Sequence, residues 1–125
     1  MKESFIARAK ENILDAEIAF NGGRYNACAN RAYYAAFHAA IAALKHFGHT
    51  PPSIDHSPVS GNFSKYLIHE RKVFPSTITN ELKEIMKIRG KADYSETGIG
   101  KQLAAAQLKR ATIFVHLVLQ KIEEP

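Results

Sequence analysis

The stretch Arg24-Tyr25-Asn26-Ala27-Cys28-Ala29-Asn30-Arg31-Ala32-Tyr33-Tyr34-Ala35-Ala36-Phe37-His38-Ala39-Ala40 decides the fold. Its alanines give high helix propensity and let a neighbouring backbone approach closely, whereas each large polar residue needs a partner wherever it is withdrawn from water. The combination predicts a tightly packed central helix with a polar seam. At helical spacing Ala27, Arg31, Tyr34 and His38 fall on one stripe, and Asn30, Tyr33, Phe37, Ile41 and Leu44 on the adjoining apolar one. Function is expected on the polar stripe.

Working outward, the glycines and prolines divide the chain into about five helices. Before the central helix, Ile6, Ala9, Ile13, Ala16 and Phe20 repeat at amphipathic spacing up to Gly22-Gly23. The second helix runs from about Arg24 to Phe47 and stops at Gly48. A connection this short makes the two antiparallel neighbours. The segment from His49 to Pro58 contains three prolines and reads as a loop across one end of the bundle. A shorter helix follows over 59–72 with Phe63, Tyr66 and Leu67 on its apolar side. After Pro75-Ser76 comes a helix with Ile78, Leu82, Ile85 and Met86 that ends at about Arg89 or slightly beyond. The last helix starts between Thr97 and Lys101 and reaches about Ile122. Its run from Ala111 to Leu119 is apolar nearly all round, so it is expected at the bundle centre or in a subunit interface, and a homodimer is expected.

The 125 residues fit a single domain over 1–125, long enough to bury a core without disulfides or metals. One cysteine, Cys28, forms no disulfide framework within the chain, which suits a reducing cytoplasm. The start Met1-Lys2-Glu3-Ser4 is not a secretory leader and no apolar run is long enough for a bilayer, so a soluble protein without membrane contact is expected. The net charge of +5 is spread along the chain, and its densest group is Lys83, Lys87, Arg89 and Lys91. Those charges read as a solvated surface, with Arg89 the exception.

No metal or other cofactor is expected. The six histidines include no pair that puts two ligands on one helical face; His46 and His49 are interrupted by Gly48. There is no Gly-x-Ser-x-Gly and no phosphate-binding glycine loop. The remaining candidate is Arg89-Gly90-Lys91-Ala92-Asp93-Tyr94, where an arginine, a carboxylate and a phenol meet as a helix ends. An arginine partly withdrawn from water holds phosphate bidentately; the same spacing also fits an i, i+4 ion pair closing the helix.

The central-helix pattern, His56 before Ser57, and Arg89-x-x-Ala92-Asp93-Tyr94 together resemble the HEPN domain, the higher-eukaryote and prokaryote nucleotide-binding domain, over nearly the whole chain. The resemblance is to its small stand-alone prokaryotic branch, whose members often accompany a minimal nucleotidyltransferase in toxin–antitoxin-like operons. It implies an all-α up-and-down bundle that dimerises around a polar cleft. It also implies a metal-independent ribonuclease motif, Arg-x(4–6)-His, in which Arg89 matches the arginine. The histidine is not matched: Tyr94 stands five positions on, after Asp93, and no histidine occurs between 89 and 115. A tyrosine, with a pKa of about 10, is a poor base near neutrality.

The reading is therefore a HEPN-type protein binding a nucleotide or RNA phosphate between Arg31, Tyr34, His38, Arg89, Asp93 and Tyr94, with a nucleotidyltransferase partner. Its alternatives are an endoribonuclease toxin in which His38 or His56 replaces the motif histidine, and a helical adaptor whose seam only fixes register.

Overall fold

A computed structural model describes residues 2–49 and 56–124, with side chains of the second stretch described from Val59 onward. Its helices are α1 (Lys2–Asn21), α2 (Tyr25–His46), α3 (His56–Asn62, continuing as π-helix over Phe63–Glu70), α4 (Thr77–Tyr94) and α5 (Lys101–Glu123). No strand occurs among the described residues, so the chain is the all-α bundle expected. None of these helices is long and apolar enough to cross a membrane.

The alanine-rich α2 is the centre. Ala29, Ala32, Ala35, Ala36, Ala39, Ala40, Ala42 and Ala43 are fully buried, and the larger Tyr33, Phe37, Ile41 and Leu44 sit deep between them. A methyl side chain lets neighbouring helices pack close to the α2 backbone, and α1, α5 and α4 all pack against it. The stripe of Ala27, Arg31, Tyr34 and His38 reaches the surface, together with Asn30 beside it and Tyr25, Asn26, Lys45 and His46 at the helix ends.

Several boundaries differ from the sequence reading. Residues 50–55 of the proline segment lie outside the described residues, but His56–Pro58 are already helical. Pro58 fits there because a first-turn residue needs no intrahelical N–H bond. The third helix widens after Asn62 into i→i+5 bonding, as in Arg71 N–H to Tyr66 C=O at 3.0 Å. The wider turn buries Ile68 beside Phe63 and Leu67, and leaves Tyr66 half-buried against the His49 ring, 3.8 Å away between centroids. Helix α4 runs through Gly90 to Tyr94 because Ile88 and Ala92 pack on Ala29, Ile99 and Leu103 and hold the last turn in place. On α1 the buried face is rotated to include Phe5 and Asn12 with Ala9 and Ala16, leaving Ile6, Ile13 and Phe20 partly covered. Finally, α5 is not the centre. It buries Ala111, Phe114, Val115 and Val118 but leaves Ile113 57% and Leu117 39% exposed.

Beyond Tyr94 the chain turns onto the start of α2. Ile99 N–H donates to Asn26 Oδ1 at 2.8 Å, and Gly98 has a φ of +71°. A methyl group on Gly98 would lie 2.5 Å from Asn26 Nδ2.

Two glycines should therefore respond oppositely to alanine. Gly98→Ala meets both the left-handed backbone penalty and Asn26, and is expected to lower stability by about 2 kcal/mol. Gly90→Ala adds a methyl into open space inside a helix. It is expected to raise stability by about 0.5–1 kcal/mol. Urea midpoints of the two variants against the parent check both signs.

Candidate functional site

The surface stripe of α2 meets the end of α4 through one continuous set of hydrogen bonds. Arg31 donates from Nε and Nη2 to Asn30 Oδ1 at 3.0 and 2.6 Å, and from Nη1 to Asn12 Oδ1 at 3.2 Å. Asn30 turns its amide outward and donates from Nδ2 to Asp93 Oδ2 at 3.1 Å. Arg89 Nη1 approaches the same oxygen at 3.4 Å. At the other end Asn12 donates from Nδ2 to the Arg8 carbonyl at 2.9 Å and to His38 Nδ1 at 3.2 Å. The row thus runs His38, Asn12, Arg31, Asn30, Asp93, Arg89.

Arg89 is largely withdrawn from water, its side chain 15% exposed, with the guanidinium 4.8 Å from the Tyr33 ring centre and 5.9 Å from that of Tyr94. Burial disfavours its charge, but the Asp93 hydrogen bond and the neighbouring Tyr33, Asp93 and Tyr34 outweigh that and hold its pKa above the ordinary arginine value. Burial pushes the Tyr33 phenol well above its usual range, with Arg89 opposing, so Tyr33 stays neutral. Tyr94 does not cap the helix by packing; it is 80% exposed at the mouth of the site. Burial also pushes the Cys28 thiol up to about 11, leaving it an unreactive core group whose Sγ faces the Ala104 carbonyl.

His38 lies at the far end of the row, its ring against Phe5, Tyr34 and Phe37. Burial first, then the charges of Arg8 and Arg31, push its pKa down to about 4. The bond from Asn12 requires a lone pair on Nδ1, so the neutral ring carries its proton on Nε2. His38 is joined to Arg89 along the row through Asn12, Arg31, Asn30 and Asp93, and by ring contacts through Tyr34 and Tyr33. The imidazole of His56 lies outside the described side chains.

The structure joins Arg31, His38, Arg89 and Asp93 in one network and sets Tyr34 under the Arg31 guanidinium at 5.0 Å. Asn12 and Asn30 in the row, and Gln107 behind it, were not singled out from the sequence as site residues; by spacing Asn30 falls on the apolar stripe. Asn12 sits on the buried stripe of an amphipathic helix, and its polarity there was the available signal. Gln107 is fully buried on α5 and donates from Nε2 to the Ile85 carbonyl at 2.8 Å and the Ala29 carbonyl at 3.3 Å, tying α4 to α2 directly behind the site. No group of three or more His, Cys, Asp or Glu side chains is gathered for a metal ion among the described residues.

The chain as a whole is similar to known proteins. The HEPN domain family matches residues 3–122. A Methanocaldococcus jannaschii protein named "putative toxin" is 29% identical over 98% of this chain and 89% of its own length. A "UPF0332 protein" of Archaeoglobus fulgidus is 33% identical over 88% of this chain and 86% of its own. The chain belongs to the HEPN domain family.

The depressed His38 pKa makes stability depend on acid. Above about 6.5 the imidazole is neutral in both folded and unfolded chains. Between that value and about 4 the unfolded chain binds a proton that the folded one excludes, so stability falls as pH falls through this window. Thermal melts at pH 7 and pH 4.5 should show a drop that is smaller in His38→Gln, and an imidazole NMR titration should give a midpoint near 4.

Proposed function

We propose, from membership of the HEPN family, that this chain binds an RNA or nucleotide phosphate at Arg89 and serves as the toxin-like member of a two-component system. The observation that carries the reading is a guanidinium largely withdrawn from water, set against Tyr33 and paired with the Asp93 carboxylate at 3.4 Å, beside a tyrosine that is 80% exposed. A well-matched arginine–carboxylate pair makes two bonds at about 2.7–2.9 Å. The looser contact here leaves Arg89 with donor capacity for a phosphate, while Asp93 and Tyr94 orient it and Tyr94 offers a ring face to a base.

Binding is favoured over cleavage by the same geometry. Attack by a ribose 2′-hydroxyl needs a group that takes its proton. The imidazole in the row, His38, accepts from the Asn12 amide at Nδ1 and is separated from Arg89 along the row by four side chains. The relative named as a toxin supports a role inside a toxin–antitoxin pair, and a minimal nucleotidyltransferase is the partner this reading assigns. A homodimer of single-domain chains in the cytoplasm completes it. Leu14 and Ile18 on α1 and Ile113 and Leu117 on α5 are exposed apolar residues that support association, and the buried lone thiol suits a reducing compartment.

Incubation with single-stranded RNA, followed by fluorescence anisotropy and by gel, tests the reading. The parent is expected to bind and leave the RNA intact, with Arg89→Ala weakening binding at least tenfold and Tyr94→Ala about tenfold. Cleavage by the parent that disappears in Arg89→Ala would replace the binding reading with a ribonuclease. Unchanged affinity in Arg89→Ala would refute both.

A further inference from the structure

Helix α2 contains no Asp or Glu. Its surface stripe instead carries Arg24, Arg31, His38 and Lys45 at seven-residue intervals, so they climb one side of the helix. Helix α1 adds Arg8 to this side. The Arg8 guanidinium lies 5.4 Å and the Lys45 Nζ 5.8 Å from the centre of the same ring, Phe5, and the His38 ring is 5.8 Å from it. Further along, Lys2 Nζ is 2.8 Å from His46 Nδ1.

None of Arg8, Arg31 and Lys45 has a carboxylate at ion-pair distance among the described residues. Asp93, Glu81 and Glu124 are paired elsewhere, with Arg89, Arg110 and Lys121. The charges acting on His38 come from Arg8 and Arg31, and both are positive. Gathering like charges costs free energy that an anionic ligand would recover.

The length of this face selects the anion. From Asn30, which touches Asp93, to Lys45 is fifteen residues, or about 22 Å at 1.5 Å per residue. A single phosphate or mononucleotide does not span that distance, but a strand with successive phosphates does. An aromatic ring stands at the end of the row, Tyr94, which is 80% exposed. Ring faces reward unstacked bases, which a duplex or an acidic protein segment does not offer.

We propose that the α1/α2 face bearing Arg31, Arg8 and Lys45 is the path along which a single RNA strand extends from the Arg89 site. The inference rests on the phosphate-binding reading of Arg89, and it adds the strand's direction and extent.

The test measures anisotropy of labelled three-nucleotide and twelve-nucleotide single-stranded RNAs and a twelve-base-pair RNA duplex over a range of salt. The proteins are the parent, an Arg8→Gln/Lys45→Gln double variant, an Arg8→Lys/Lys45→Arg double variant and Arg89→Ala, each checked for an unchanged helical melt. The neutralised variant should bind the twelve-nucleotide strand about tenfold more weakly. Its dependence of log K on log salt should be shallower by about 1.4, the value for two lost phosphate contacts on a single strand. Its affinity for the three-nucleotide RNA should stay unchanged, and the charge-preserving variant should behave as the parent.

An unchanged affinity and salt slope for the long strand in the neutralised variant, with Arg89→Ala still weakening both single strands, overturns the path and leaves the Arg89 site standing. Loss in the neutralised variant alone, with Arg89→Ala binding as the parent, supports the path and removes the Arg89 reading. Equal or tighter binding of the duplex overturns the single-strand assignment. Binding of a polyglutamate probe that the neutralised variant loses, with RNA affinity unmoved, overturns it in favour of an acidic protein partner.

Discussion

The polar half of this molecule depends on the fact that a guanidinium has donors only. Arg31 lies between two asparagines, so both must turn their oxygens toward it and their amides away. That choice sets everything further out. The Asn12 amide then faces His38 and requires an unprotonated nitrogen there, while the Asn30 amide donates to Asp93 Oδ2. A lysine at 31, with its three donors on one ammonium, could not hold both oxygens with the same planar fork. Orientation thus passes from the middle of α2 to Arg89 through bonds whose direction is fixed by chemistry.

This row exists because α2 is built of alanine. Bulkier residues would hold α1, α4 and α5 further from its axis, and the short asparagine side chains could then not reach across to the neighbouring helices. Close packing also makes Gln107 useful, since its amide links Ile85 and Ala29 behind the site through the core. The cost is a buried Gln107 Oε1 with no hydrogen-bond partner among the described residues. Arg89 shows a related imbalance, with a buried Nε that no acceptor reaches. These two atoms lie where α2 meets α4 and α5, at or directly behind the candidate site; a third, His49 Nε2, lies apart from it, where the His49 ring rests on Tyr66.

Much of this was legible in the chain. The repeats and breakers located five helices, and the alanine run identified the central one. Arg31, His38, Arg89 and Asp93 announced themselves as large polar groups on stripes that had to be partly covered. The errors have physical causes. For the last helix the centre and a subunit interface were both open, because local apolarity does not report which face finds a neighbour; within one chain Ile113 and Leu117 stay exposed, which removes the centre. Helix α4 outran its expected end because packing of Ile88 and Ala92 outweighs the propensity cost of Gly90. The π-helical widening after Asn62 had no local signature, since side-chain period alone does not separate i→i+4 from i→i+5 bonding.

What the sequence by itself determined was the class of element, the identity of the central helix and the residue types available to a site, because these follow from periodicity and side-chain chemistry within a few turns. Tertiary structure alone decided which of those residues meet. Asp93 reaches Asn30 across 63 positions, His38 reaches Asn12 across 26, and Arg8 and Lys45 converge on one phenylalanine ring. Such contacts depend on the angle and depth at which two helices pack, which is set by the summed fit of many side chains rather than by either partner's own sequence.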